Sequence, residues 1–137
     1  GKNTIENKNW VVGIDDPTQT PEERTLIGKI KLENLGMATS GNYRKVKVDS
    51  LTGQKFVHII NPKTGLSEKS SILSATVLAS KCIDADGFAT AFMIMDLVET
   101  KKLLQKRTDL HVLLIYMDEN NQIQQFKTAN FEKLIIN

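Results

Sequence analysis

Short apolar or alternating runs of strand length recur along most of this chain, and one stretch only follows a helical period. Trp10-Val11-Val12-Gly13-Ile14 is a short apolar run closed by Asp15-Asp16-Pro17, a strand ending in a turn. Thr18 to Arg24 is polar, contains Pro21, and reads as a surface loop. From Leu26 to Leu32, Leu26, Ile30 and Leu32 point one way and Lys29 and Lys31 the other, the signature of a half-buried strand. Gly36-Met37-Ala38-Thr39-Ser40-Gly41 reads as a connection of small residues between two glycines. Val46 and Val48 pair through the Thr52-Gly53 turn with Lys55 to Ile60 as a hairpin, which Asn61-Pro62-Lys63-Thr64-Gly65 stops. Ile72 to Leu78 is a further strand.

From Asp84 to about Arg107 the period lengthens. Phe88, Ala91, Met95, Val98, Leu103 and Leu104 recur at helical spacing, Asp84 is placed to cap the start, and Lys101, Lys102, Lys106 and Arg107 suit the negative end of the helix dipole. A last hairpin, His111 to Met117 and Gln122 to Lys127, turns through Asp118-Glu119-Asn120-Asn121. Strands, one long helical region, then strands predict an α+β fold, a mainly antiparallel sheet with that helical region packed on it.

Composition narrows the function classes. The chain has 137 residues, 40% hydrophobic and 25% charged, enough for one domain. Eighteen Lys and Arg against sixteen Asp and Glu leave a net charge of +2, a balance that gives no electrostatic case for a nucleic-acid-binding domain. No apolar stretch reaches the ~18–20 residues of a membrane-spanning helix, and the first seven residues carry no apolar export core. A single cysteine, Cys82, forbids an internal disulfide or thiolate cluster and reads as a small core residue.

Three clusters hold reactive groups at the ends of elements. In His58-Ile59-Ile60-Asn61-Pro62-Lys63-Thr64-Gly65 an imidazole precedes a rigid turn whose N–H groups can meet an anion, or else serves an ordinary strand end. In Asp84 to Thr90, the carboxylate of Asp86 and the hydroxyl of Thr90 lie four residues apart on one helix face. They are hard oxygens of the kind Mg²⁺ or Ca²⁺ takes, or else parts of a helix terminus. Gly36 to Gly41 admits close approach of a ligand, or is only a tight connection.

In this order and spacing the clusters resemble the FAD:protein FMN transferase family, the ApbE-type flavin transferases. The resemblance runs through Trp10 to Pro17, Ala38-Thr-Ser-Gly-Asn-Tyr43, His58 to Gly65, Ser74-Ala-Thr-Val77 and Ala85-Asp-Gly-Phe-Ala-Thr-Ala91, with the His-x-x-(Asp/Asn)-Pro-x-Thr-Gly block the most specific part. It implies Mg²⁺-dependent transfer of FMN from FAD to a threonine of an acceptor flavoprotein, with release of AMP. On matching positions Asp86 and Thr90 look like the metal ligands, with Asp86 also catalytic. His58 looks like the essential histidine, positioning the phosphoryl group or helping to deprotonate the acceptor threonine. Ile60 sits where the family touches FAD, and Thr39, Ser40 and Gly41 line the flavin cleft.

The pattern departs from the family at Gly87-Phe88, where Ala-Leu is usual. Family members are also considerably longer, and their first half supplies further FAD and metal contacts. The resemblance therefore implies that residues 1–137 form the C-terminal portion of an ApbE-like transferase, paired with an N-terminal half and prone to self-association without it. It further implies an exported, lipid-anchored or periplasmic protein. The competing readings are a module or degenerate relative that binds FAD or FMN without transferring it, and a structural fragment that folds but binds nothing.

Overall fold

A computed structural model describes residues 8–19, 22, 25–41, 47–48, 50–53 and 55–136. Among these the chain runs through β1 (Trp10–Asp15), β2 (Leu26–Leu32), β3 (Gly36–Gly41), β4 (Lys47–Val48), β5 (Lys55–Ile60), β6 (Ser67–Ser70) and β7 (Ile72–Ala79). It continues through α1 (Cys82–Ile94), α2 (Leu97–Lys106), β8 (His111–Met117), β9 (Ile123–Lys127), α3 (Ala129–Glu132) and β10 (Ile135–Ile136). The strands form three sheets, β1-β2-β10, β3-β7-β8-β9 and β4-β5-β6, and every recorded pairing is antiparallel. The α+β class stands, with three sheets in place of one.

Burial of β7 on both faces organises the layers. All eight of its residues are buried, which requires cover on each side. Ala75, Val77 and Ala79 pack with Val112 and Leu114 of β8 against Ala85, Ala89, Phe92 and Met93 of α1. Leu78, Leu113 and Ile115 face the other way, onto Ile14, Ile30 and Phe131 from β1, β2 and α3. A register shift between Ile72 and Ser74 lets Ile72 join the helix-facing set despite its odd spacing from Ala75. The buried hydroxyl of Thr76 bonds that of Thr39 on β3 at 2.9 Å, so this polar atom carries no desolvation penalty.

Several details differ from the pattern-based expectation. Gly36 to Gly41 is a strand, and its small residues serve α1. A Cβ at Gly36 would sit 2.6 Å from the backbone nitrogen and 2.7 Å from the Cα of Cys82. Ala38 packs into the helix-side core one step along the same face. The long helical region divides at Met95-Asp96: Met95 is extended, and the Asp96 carboxylate accepts a hydrogen bond from the Glu99 N–H at 2.7 Å as the cap of α2. The break shifts the phase of the pattern, so Thr100 and Leu104 are buried while Val98 is exposed. Asp84 lies inside the first turn of α1; the residue at its cap is Lys81. Leu26 is exposed to solvent and closes over Gly13, where a Cβ would meet it at 2.7 Å. β6, α3 and β10 carry too few residues to show a period of their own.

Two polar clamps fix the connections around β8. Arg107 grips Asp109 through both carboxylate oxygens at 2.8 Å each, and these hydrogen bonds hold the Asp109 carboxyl at about 2, below its ordinary 3.8. Asp118 organises the β8–β9 turn, accepting from the N–H groups of Asn120 and Gln122 and from the Gln124 amide, which lowers its pKa in turn.

Gly36→Ala is expected to lower the stability to chemical denaturation by about 1–3 kcal/mol through overpacking against the start of α1. Gly87→Ala, at a helical position with open space around it, is expected to raise it by about 0.5–1 kcal/mol. A Gly36→Ala protein as stable as its parent would contradict the close approach. Because the folded pKa of Asp109 is depressed, its clamp stabilises fully above about pH 4 and is lost as the pH falls towards 2. In an NMR titration Arg107→Ala is expected to return Asp109 to the ordinary carboxylate range; a parent midpoint already there would contradict the clamp.

Candidate functional site

α1 presents two faces with different tasks. Ala85, Ala89, Phe92 and Met93 recur every three or four residues and are buried, so the residues one step beyond Ala85 and Ala89 fall on the flank. Those residues are Asp86 and Thr90, both exposed. The Thr90 hydroxyl donates to the Asp86 carbonyl at 3.0 Å. With its hydrogen committed to the backbone, its lone pairs remain for an acceptor role. Across the helix–strand seam the Ser40 hydroxyl stands 3.4 Å from that of Thr90. The structure therefore brings together Ser40, Thr90 and the stretch of α1 bearing Asp86.

This oxygen set matches the hard ligands that Mg²⁺ prefers. Among the described residues no group of three or more His, Cys, Asp or Glu is gathered as a metal cage. The fit is to an open site, in which a cation keeps water or phosphate oxygens in most of its positions.

The second cluster is an ordered turn. Lys63 N–H donates to the Asn61 side chain at 2.9 Å, Gly65 N–H to the Asn61 carbonyl at 2.7 Å, and Leu66 N–H to the Thr64 hydroxyl at 3.2 Å. Gly65 has φ +69°, which favours glycine. The Asn-Pro-x-Thr-Gly motif is thus an Asx-turn followed by a hydroxyl-stabilised turn. Its polar groups hold the loop, and those three N–H groups are committed to it and not presented to an anion. Ile60 and Leu66 flank the turn at 68% and 66% exposure, an apolar pair held in water at a strand end. His58 lies in β5 opposite Lys69 of β6; its side chain is outside the described residues, as are Asn42 and Tyr43 altogether.

Thr39 and Gly41 lie on the face of β3 opposite Ser40 by strand alternation, Thr39 bonded to Thr76 and Gly41 exposed opposite Ser74. Two neighbours of the site escaped the pattern-based reading. Cys82, expected as a small core residue, is exposed and lies four residues before Asp86, one turn away on the same flank. The Arg107 guanidinium lies 4.8 Å from the centre of the Phe88 ring, so the end of α2 returns to the first half of α1.

Fold and site define an α+β protein with an open, oxygen-lined site where a helix flank meets a sheet edge. The model of the ApbE family matches residues 1–114, and the chain belongs to that family. FAD:protein FMN transferase of Haemophilus influenzae is 38% identical over 135 residues, covering 98% of this chain and 37% of the relative. The enzyme of the same name from Buchnera aphidicola is 33% identical, covering 97% and 38%. Among solved structures, the flavin transferase ApbE of Vibrio cholerae superposes with a TM-score of 0.74 at 26% identity, over 98% of this chain and 40% of that one. The ApbE protein of Thermotoga maritima gives 0.71 at 25%, over 99% and 41%. The chain thus spans about 37% of the length of its first curated relative.

Exposure of Cys82 predicts that its thiol reacts with Ellman's reagent in the native protein at the rate of an accessible cysteine. Reaction only after denaturation would place it in the core.

Proposed function

We propose that residues 1–137 form the C-terminal portion of a flavin transferase that moves FMN from FAD to a threonine of an acceptor flavoprotein. The observation that carries this reading is the seam of the Ser40 and Thr90 hydroxyls and the Asp86 carbonyl, on the helix turn that bears the exposed Asp86, in a chain of the ApbE family. A Mg²⁺ ion there would offset charge on the pyrophosphate as its P–O bond breaks. Asp86 and Thr90 would hold it, Asp86 through its carboxylate and Thr90 through its hydroxyl oxygen, whose hydrogen is donated to the Asp86 carbonyl. Ser40 supports the geometry of Thr90 from β3.

In the reaction, the acceptor threonine oxygen forms a bond to the phosphorus of the FMN half, and the bridging P–O bond to AMP breaks. The hydroxyl proton leaves to a base and AMP departs with the bridging oxygen. His58 is assigned to this step, positioning the phosphoryl group or taking the proton. Ile60, with Leu66 beside it, offers FAD an apolar contact at the turn, and Gly41 borders the cleft at the end of β3, while Thr39, on the other face and bonded to Thr76, supports the strand. An N-terminal segment would supply the remaining FAD and metal contacts, and export to the periplasm, by signal or lipid anchor, would accompany it.

Asp86→Ala in the intact transferase is expected to reduce FMN transfer to an acceptor peptide by about 100-fold or more, with the folded state retained by circular dichroism. Thr90→Val should do likewise and Thr90→Ser should preserve transfer. Near-parent activity of Asp86→Ala at saturating Mg²⁺ would overturn the assignment.

A further inference from the structure

The far edge of the four-stranded sheet carries a cavity that the proposed transferase site does not use. It measures about 570 Å³ and lies between α2, β9 and α3, whereas Asp86, Thr90 and Ser40 gather at the opposite edge strand, β3. The cavity is a wide-mouthed groove whose volume falls in the range of small-molecule sites. Its apolar lining is Leu104, Leu110 and Phe126; Lys101, Lys127 and Lys133 provide the charge, and no Asp or Glu lines it.

The walls are already fixed. The Asn130 amide donates to the carbonyls of Thr108 and Leu110 at 3.0 Å each and accepts from the Thr128 hydroxyl, which in turn accepts from the Val112 N–H at 3.0 Å. These bonds tie the α2–β8 connection to α3 and leave Thr128 and Asn130 committed to the scaffold. The Lys101 ammonium lies 5.0 Å from the Phe126 ring centre and 6.0 Å from that of Tyr116, which restrains it beside the apolar lining. Among the described residues none of the three lysines forms a salt bridge. Charged selection in the cavity is therefore cationic only, above an aromatic and aliphatic floor.

We infer that this cavity is a second binding site, for a small organic anion with an apolar body, such as an aromatic carboxylate. Its carboxylate meets the lysines and its ring lies on Phe126 and Leu104. The inference is independent of the transferase reading, since it uses none of the same residues.

The test is an NMR titration of the 137-residue chain with 1-naphthoate, set against neutral 1-naphthalenemethanol. Expected are naphthoate-induced shifts centred on Lys101, Phe126, Ala129 and Lys133, and weaker binding of the alcohol by about tenfold. Lys127→Glu with Lys133→Glu should abolish the preference for the anion. Ala129→Trp, which fills the cavity from an exposed position, should remove both ligands while the rest of the spectrum stays that of the folded chain. Equal binding of acid and alcohol, shifts centred on Asp86 and Thr90, or an unchanged affinity in the charge-reversed variant would each overturn the proposal.

Discussion

The close approach of α1 to β3 sets the helix layer and, with it, the candidate site. A helix can lie this near an edge strand only where the facing side chains are small, and Gly36 leaves no room for even one carbon before the Cys82 backbone. Once the helix start is seated there, Ala85, Ala89, Phe92 and Met93 reach the buried face of β7. The same seating sets Thr90 beside Ser40. Packing and site geometry are consequences of one contact. A shift of the helix by one residue would bury Asp86 against the sheet and expose Ala85, which desolvation of a carboxylate opposes.

The proposed chemistry draws on what the packing leaves over. One face of α1 is occupied by the core, so hard oxygens collect on its flank. The motif turn after β5 plays a complementary part: Asn61 and Thr64 bind their own backbone, fixing where the exposed Ile60 and Leu66 stand. Motif residues that look like ligand groups in a sequence are here partly the scaffold that holds others in place.

Alternation, a direct consequence of the pleat, makes β2 and the β4–β5 pair legible, whereas β1, β7, β8 and β9 are legible as short runs bounded by turn residues. β3 was hidden because small residues chosen for helix contact carry no alternation signal. The division between α1 and α2 was hidden because Met95 and Val98 continue the helical period across a break set by the cap at Asp96. Cys82 was misread for a related reason: residue type favours burial, but its place at the first residue of α1 keeps it exposed. Of the site, the four-residue spacing of Asp86 and Thr90 was readable from helix geometry, whereas the partnership of Ser40 with Thr90 joins positions fifty residues apart and needs the fold.

The most direct measurement is paramagnetic broadening of backbone amides by Mn²⁺, standing in for Mg²⁺, added with AMP to the isotopically labelled chain. Broadening centred on Ser40, Asp86 and Thr90, and lost in Asp86→Ala, is the expected result. Broadening centred elsewhere, or unchanged by that substitution, would contradict the claim that this helix flank is a cation site.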